Sequence, residues 1–323
     1  MCYSAQIQAD YRRYVKMFGA QMDIREFARL FWERAERSKA KIPKAMEDAF
    51  VDPQNDAQID DERQIKAFID RYNAEQATSL EQELFTQRTR LADAERTLQS
   101  KVTKAATESK RIASDKIDAA LRRLEDLKRT EGQPRDSRIF PGHYAPVLVV
   151  ENGEYVVKPM RYQCRIAGKP ANYDTRFPGT YNCRVDSLGG FWRPLFGYSH
   201  GIMIVNRFYE NVSRARMEGR PLAAGEKDEN VVLEFNPDSG GEMLVACLWS
   251  RWTAKDQPDL LSFAAITDEP PAEVAEAGHD RCIVPIKPEN VEAWLNPNPS
   301  NLDALYAILN DRDRFYYEHR LAA

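Results

Sequence analysis

Along residues 6–50 apolar side chains recur at intervals of three and four, with Tyr11, Tyr14 and Phe18 followed by Ile24, Phe27, Leu30, Phe31 and Ala35. That spacing predicts two short amphipathic helices laid on a core. From Asp61 to Lys128 proline and glycine vanish and Glu, Lys, Arg, Gln and Ala dominate. In the same stretch Ala77, Leu84, Leu91, Leu98, Ala105, Ile112 and Ala119 repeat every seven residues, seconded by Leu80, Ala94 and Val102. An apolar seven-residue repeat among good helix formers predicts a coiled coil or a long helical hairpin. The blander alternative is a solvated spacer stiffened by its helix formers.

The stretch EGQPRDSRIFPGHY closes this arm, because Gly132, Pro134, Pro141 and Gly142 end or break helices. Beyond it the period shortens. APVLVVENGEYVVKPMRY, SHGIMIVNRFYEN, NVVLEF, EMLVACLWSRW, LLSFAAIT and RCIVPI are β-branched and aromatic runs separated by turn residues, and the first holds a hairpin signal in ENG. PENVEAWL and NLDALYAILNDR then read as short helices with an Asx residue or proline at the start. The expected fold is α+β: a curved, barrel-like antiparallel β-sheet domain with flanking helices and an inserted helical hairpin or coiled-coil arm. On this reading residues 1–60 and 132–323 form one discontinuous domain and 61–131 form the arm.

A chain of 323 residues can bury a large core and is long enough for an enzyme. It has no run of eighteen apolar residues and no basic, apolar leader, so a soluble, cytoplasmic protein without membrane contact is expected. The formal charge of -4 does not point to nucleic acid, but charge is unevenly spread. Between Val156 and Met217 ten basic residues face three acidic ones, a local surplus of seven, interleaved with Tyr162, Tyr173, Phe177, Tyr181, Phe191 and Trp192. That is the composition of a groove for a phosphate backbone with bases stacked beside it. The five cysteines are scattered without a CxxC pair, so neither a disulfide framework nor a zinc site is indicated. GxGxxG, Walker A and HExxH runs are absent too, and no cofactor or metal is expected.

The chain opens MCYSAQ. Aminopeptidases remove an initiator methionine before a small residue, which makes Cys2 the expected N-terminus. An α-amine of pKa about 7.7 and a thiol of about 8.5 would then share one residue. An amine condenses with an aldehyde to a Schiff base, and a thiol on the neighbouring carbon can capture the imine as a thiazolidine ring. Elsewhere, Glu210 follows the apolar run IMIV and the pair Phe208–Tyr209, surroundings that raise a carboxyl's pKa toward acid–base use. His279 precedes an apolar strand and titrates near neutrality, and the Asn182 amide can both accept and donate.

Taken together, MC at the start, YNCRVDSL at 181–188, NRFYEN at 206–211 and GHDRCIVPI at 278–286 resemble the SRAP family, the SOS response-associated peptidase-like proteins that shield abasic sites in single-stranded DNA by covalent crosslinking. That family opens Met-Cys and carries Asn-Ala-Arg-x-Glu, Gly-Phe-(Tyr/Phe)-Glu-Trp and His-x-Arg-Met-Pro. Asn182 and Arg184 match the first of these three motifs, Glu210 the second, and His279 with Arg281 the third. The likeness covers residues 1 to about 50 and 139 to about 296 and leaves the arm aside.

The resemblance implies that Cys2 forms a thiazolidine with an abasic site. It implies that Glu210 activates Cys2 and assists reversal, that His279 acts on the ring-opened sugar, and that Asn182 positions the Cys2 backbone and substrate. It also implies a phosphate contact from Arg184. Arg161, Arg176, Arg193, Arg207, Arg281 and Trp192 complete the expected DNA surface, and the arm is expected to serve a protein partner or self-association. Departures from the family pattern are Tyr3-Ser4 for Gly-Arg after the cysteine, Asp186 for glutamate, Asn211 for tryptophan, Tyr162-Gln163 for Trp-Gly and Val147 after Ala145-Pro146. Two other classes compete: a thiol autopeptidase or peptidase using Cys2 with His279 as base, and a non-catalytic DNA-binding scaffold.

Overall fold

A computed structural model describes residues 3–36, 39–52 and 59–322. Among these, twelve strands join in one sheet: β1 Ser4–Ile7, β2 Gln21–Met22, β3 Arg138–Ile139, β4 Tyr144–Glu151, β5 Glu154–Tyr162, β6 Asn182–Arg184, β7 His200–Ser213, β8 Asn230–Pro237, β9 Met243–Trp252, β10 Leu260–Asp268, β11 Cys282–Ile283 and β12 Tyr317–Leu321. The longest path through it runs β11-β10-β5-β4-β7-β1-β3. β4 and β5 are a hairpin closed by Asn152 and Gly153, both at positive φ (53° and 82°), as a two-residue turn matched to strand twist requires.

This sheet corrects the antiparallel barrel expected from the strand pattern, because it is mixed. β2 runs parallel to β5, and β10 runs parallel to both β5 and β6. Hairpin signals report only on strands adjacent in sequence. A parallel pair needs a long crossover, and nothing local in residues 154–162 announces that Arg161 and Tyr162 will lie beside Ser262 and Phe263.

The arm departs from a coiled coil as well. Helices α1 (Tyr11–Phe18), α2 (Ile24–Glu36) and α3 (Lys44–Asp48) precede α4 (Ile59–Ser100) and α5 (Lys104–Lys128). The seven-residue count from Leu98 to Ala105 crosses the break at 101–103, where the Thr103 side chain caps α5 by accepting from the Ala106 amide. Beyond that break Ala106, Ala113, Ala120 and Leu124 are buried, and the three alanines stand one residue later than the repeat counted through the break. The two helices meet over a small apolar cluster of Leu84, Ala120 and Leu124. The root of α4 belongs to the main core instead: Ile65 and Ile69 are buried in it, Tyr11 donates to the buried Glu62, and Arg34 of α2 stacks 4.3 Å from the Tyr72 ring centroid.

Around β7 the packing is tight and polar groups are matched. The hydroxyl of the fully buried Tyr14 donates to Pro146 O (3.0 Å) and accepts from the Ile204 amide (2.9 Å), tying α1 to β4 and β7. His200, at the start of β7, accepts from the Gly197 amide at Nε2 (2.9 Å) and lies 2.9 Å from Trp294 O through Nδ1. Those partners fix one neutral tautomer, with Nδ1–H donating. Burial pushes the His200 pKa down to about 3 and that of His143 down to about 4.

The unfolded chain therefore binds more protons than the native one below about pH 6.5, so stability is full above that pH and falls on acidification. The slope expected for urea-unfolding free energies between about pH 6.5 and pH 5 is up to about 1.4 kcal/mol per pH unit for each of the two histidines. His200→Gln should flatten it, and an unchanged slope would show that His200 is not the buried neutral group described here.

Candidate functional site

Glu210 lies on β7 between two neighbours: Ser4 of β1 pairs with Tyr209, and Leu233 of β8 pairs with Glu210 itself. Alternation along the strand turns Phe208 and Glu210 to one face and Tyr209 to the other. Phe208 stacks on Phe235 at 5.0 Å, so the carboxyl emerges beside an aromatic core and is 1 % exposed. Burial raises its pKa well above the ordinary carboxyl value, and a hydrogen bond from the Tyr3 backbone offsets only part of that.

His279 reaches the same point from the loop between helix Ala272–Glu276 and β11. Gly278 precedes it at φ +96°, where an added Cβ would stand 3.1 Å from that of Arg216, so only glycine lets this turn pass. The His279 Nε2 is 3.2 Å from a Glu210 carboxyl oxygen, and its Nδ1 is 2.9 Å from Arg281 O. Burial lowers the His279 pKa while it raises that of Glu210. Burial works against charge on either group, so both shifts point toward a neutral pair, while Nδ1 of His279 lies within reach of both the carbonyl and the amide N–H of Arg281.

Asn182 starts β6, whose residues pair with β10 so that Arg184 stands beside Thr267, while β11 brings Ile283 to the opposite side of the same Thr267. The segments carrying Asn182–Arg184 and His279–Arg281 thus converge on one end of β10. Asn182 is buried, and neither polar atom of its amide has a hydrogen-bond partner among the described residues. An amide left unpaired in that way is costly and marks a place where a ligand or chain end supplies the partner. Thr267, 0 % exposed and with no partner for its hydroxyl among the described residues, is a neighbour that the sequence did not flag.

Cys2 lies outside the described residues. It is joined by one peptide bond to Tyr3, whose backbone bonds Glu210 and whose ring packs on Phe140 at 5.7 Å.

Many of the basic side chains expected on the DNA surface carry their own counter-ions. Arg161 and Arg165 both clasp Asp174 (2.5 and 2.9 Å), Arg184 pairs with Asp186 (2.8 Å), and Arg207 pairs with Glu234 (2.7 Å). Arg281 lies 3.6 Å from Asp280, and its Nε has no partner among the described residues. Arg176 and Arg193 are exposed. Trp192 is in the core at 3 % exposure, edge-on to Phe191. The outward aromatics are Phe177 and Phe191, flanking Tyr173 at 4.6 and 6.2 Å, with the Lys169 ammonium 5.2 Å from the Tyr173 centroid. A hollow of about 490 Å³ opens at His279, lined also by Arg216, Arg220, Gly278 and Asp280. Among the described residues no group of His, Cys, Asp and Glu has the arrangement of a metal site.

Fold and site together define a mixed-sheet protein with a buried Glu–His contact beside its first strand. A model of the SOS response associated peptidase (SRAP) family matches residues 94–319, and the chain belongs to that family, with its association with DNA damage. The matched segment contains Asn182, Glu210 and His279, whereas Cys2 precedes it. Solved structures similar to the chain include a Bordetella bronchiseptica protein (15% identity, TM-score 0.45, over 58% of this chain and 87% of that one). Others are a Bacteroides thetaiotaomicron protein (14%, 0.45, 58% and 78%) and a phage-related Bordetella bronchiseptica protein (15%, 0.43, 58% and 81%). No curated protein matches by sequence.

Because the native pKa of Glu210 exceeds the unfolded one, the native state loses stability as pH rises from about 4.5 toward that raised value. Glu210→Gln cannot ionise. Its Tm should exceed the wild-type value by about 2–4 °C near pH 8, and the advantage should vanish near pH 4.5. A variant less stable than wild type at both pH values would contradict the buried, destabilising carboxylate.

Proposed function

We propose that the protein shields abasic sites in single-stranded DNA by forming a covalent thiazolidine through Cys2 after loss of Met1. The observation that carries this reading is the contact set of Glu210. One buried carboxyl bonds the backbone of Tyr3, the residue that follows Cys2, and lies 3.2 Å from His279.

In the ring-opened abasic sugar the reactive atom is the C1′ aldehyde. The Cys2 α-amine adds to it, giving a carbinolamine, and a proton passes from nitrogen to oxygen. Water then leaves and an imine remains. The Cys2 Sγ adds to the imine carbon while its proton moves to nitrogen, closing the five-membered ring, so the net change is loss of one water. Each of these steps pairs a proton taken from one atom with a proton delivered to another, a task for which an acid–base pair in contact is suited. In this reading Glu210 first passes its proton to His279 and then takes a proton from the Cys2 amine and, later, from the thiol. His279 delivers a proton to the departing hydroxyl and assists opening of the sugar. Asn182, with its unpaired amide, holds the Cys2 backbone or the sugar hydroxyls.

Phosphates on either side of the sugar would meet Arg184 and Arg281 beside Asn182 and His279, with Arg216 and Arg220 in the adjoining hollow. A phosphate would compete with Asp186 for Arg184, an exchange that costs little because both groups of that pair are exposed. Exposed Phe177 and Phe191 offer faces for unpaired bases, and Arg176 and Arg193, close to them in sequence, are exposed as well.

The test is mass spectrometry of the purified protein before and after incubation with single-stranded DNA bearing one abasic site. Expected are loss of Met1 and an adduct that survives denaturation and maps to the Cys2 peptide, absent in Cys2→Ser and slowed about 100-fold or more in Glu210→Gln. Peptide cleavage without an adduct would favour the peptidase reading, and salt-sensitive binding alone would favour a scaffold. Either result would overturn the crosslinking assignment.

A further inference from the structure

The segment Arg138–Phe140 holds both side chains that follow Cys2. The Tyr3 ring meets Phe140 edge-on, and Ser4 Oγ accepts from two nitrogens of Arg138, Nε at 3.1 Å and Nη2 at 3.0 Å. The same guanidinium lies 3.6 Å from the centroid of the Tyr209 ring and 5.1 Å from that of Phe140. Tyr209 precedes Glu210 and pairs with Ser4 across β1 and β7. One planar cation therefore touches the first residue of β1, the strand facing it and the loop beside it.

Arg138 forms no ion pair among the described residues, and burial lowers its pKa, with the nearby Tyr209 and Glu234 offsetting only part of the cost. A half-buried arginine held this way is an expensive way to fasten a strand whose backbone already pairs on both sides. The position it fastens is the one where the family pattern has arginine and this chain has Ser4.

We propose that Arg138 is a positioning residue for the reactive N-terminus: by clamping Ser4 against Tyr209 it sets the register in which Cys2 is presented to Glu210. A guanidinium is required because it must cover an aromatic ring while donating from two nitrogens to one hydroxyl, which a point-like ammonium does less well. Misplacing a reacting group by about 1 Å can cost about 100-fold in rate, so a clamp remote from the chemistry can matter. The proposal rests on the crosslinking reading.

The experiment compares Arg138→Met, Arg138→Lys and Ser4→Ala with wild type in two reactions: adduct formation with abasic single-stranded DNA over a range of DNA concentrations, and thiazolidine formation with glycolaldehyde, which has no phosphate. For Arg138→Met the rate at saturating DNA should fall about 10- to 100-fold with the half-saturating concentration unchanged. The glycolaldehyde reaction should slow in parallel, lysine should restore little, and Ser4→Ala should lose about 3- to 10-fold. The other cysteines, Cys164, Cys183, Cys247 and Cys282, are buried and should not interfere.

A raised half-saturating concentration with a normal saturating rate would make Arg138 a phosphate contact and overturn the proposal. So would a wild-type rate in Arg138→Met or, should that variant not fold, in Ser4→Ala. If wild type itself makes no DNA adduct the crosslinking reading fails, while the glycolaldehyde rates still decide whether Arg138 positions the N-terminus.

Discussion

The structure turns on one carboxyl group that water cannot reach. Glu210 is 1 % exposed, on a strand hydrogen-bonded on both sides, against a stacked pair of phenylalanines. A carboxylate there would forgo several kcal/mol of solvation, so the group stays protonated or finds a partner. Among the described residues its partners include His279 from a glycine turn and the backbone of Tyr3, just before the first strand. Both are parts of the site, and the destabilisation that the carboxyl brings is the usual accompaniment of acid–base function.

The consequence for the sheet is that β1, only four residues long, has to be held with more than its backbone bonds. Arg138 and Phe140 contribute side-chain contacts, and Tyr14 ties the following helix to Pro146 and Ile204. Tyr11 and Glu62 join that helix to the root of the long arm. The N-terminal strand, the first helix and the arm are thereby connected through buried polar contacts, which penalise any shift in register more sharply than apolar packing does.

The candidate residues Asn182, Glu210 and His279 were picked out by short motifs that resemble those of the SRAP family, and the Asn152-Gly153 turn was legible from its dipeptide. The contact between Glu210 and His279 was not, since it depends on β7 and on a loop nearly seventy residues later. Parallel strand pairs escaped for the same reason. The arm's repeat was displaced because a count in sevens cannot see the three-residue break between α4 and α5. The local surplus of positive charge was real in sequence but smaller in space. Lys158 pairs with Asp23 and Glu151, Arg207 with Glu234 and Arg214 with Glu229, all acids outside the stretch counted. Arg138 and Thr267 left no local signal, one in a two-residue strand and the other in an apolar one.

The central claim is that burial raises the pKa of Glu210, so that its proton is held above the ordinary carboxyl range beside His279. Infrared difference spectroscopy of wild type against Glu210→Gln, titrated from about pH 4 to about pH 9, observes that proton directly. The account predicts that the protonated-carboxyl C=O band assigned to Glu210 persists to neutral pH or beyond and that His279→Ala alters its frequency. A band that disappears by about pH 5, replaced by carboxylate absorption, would mean an ordinary ionised glutamate and would contradict the account.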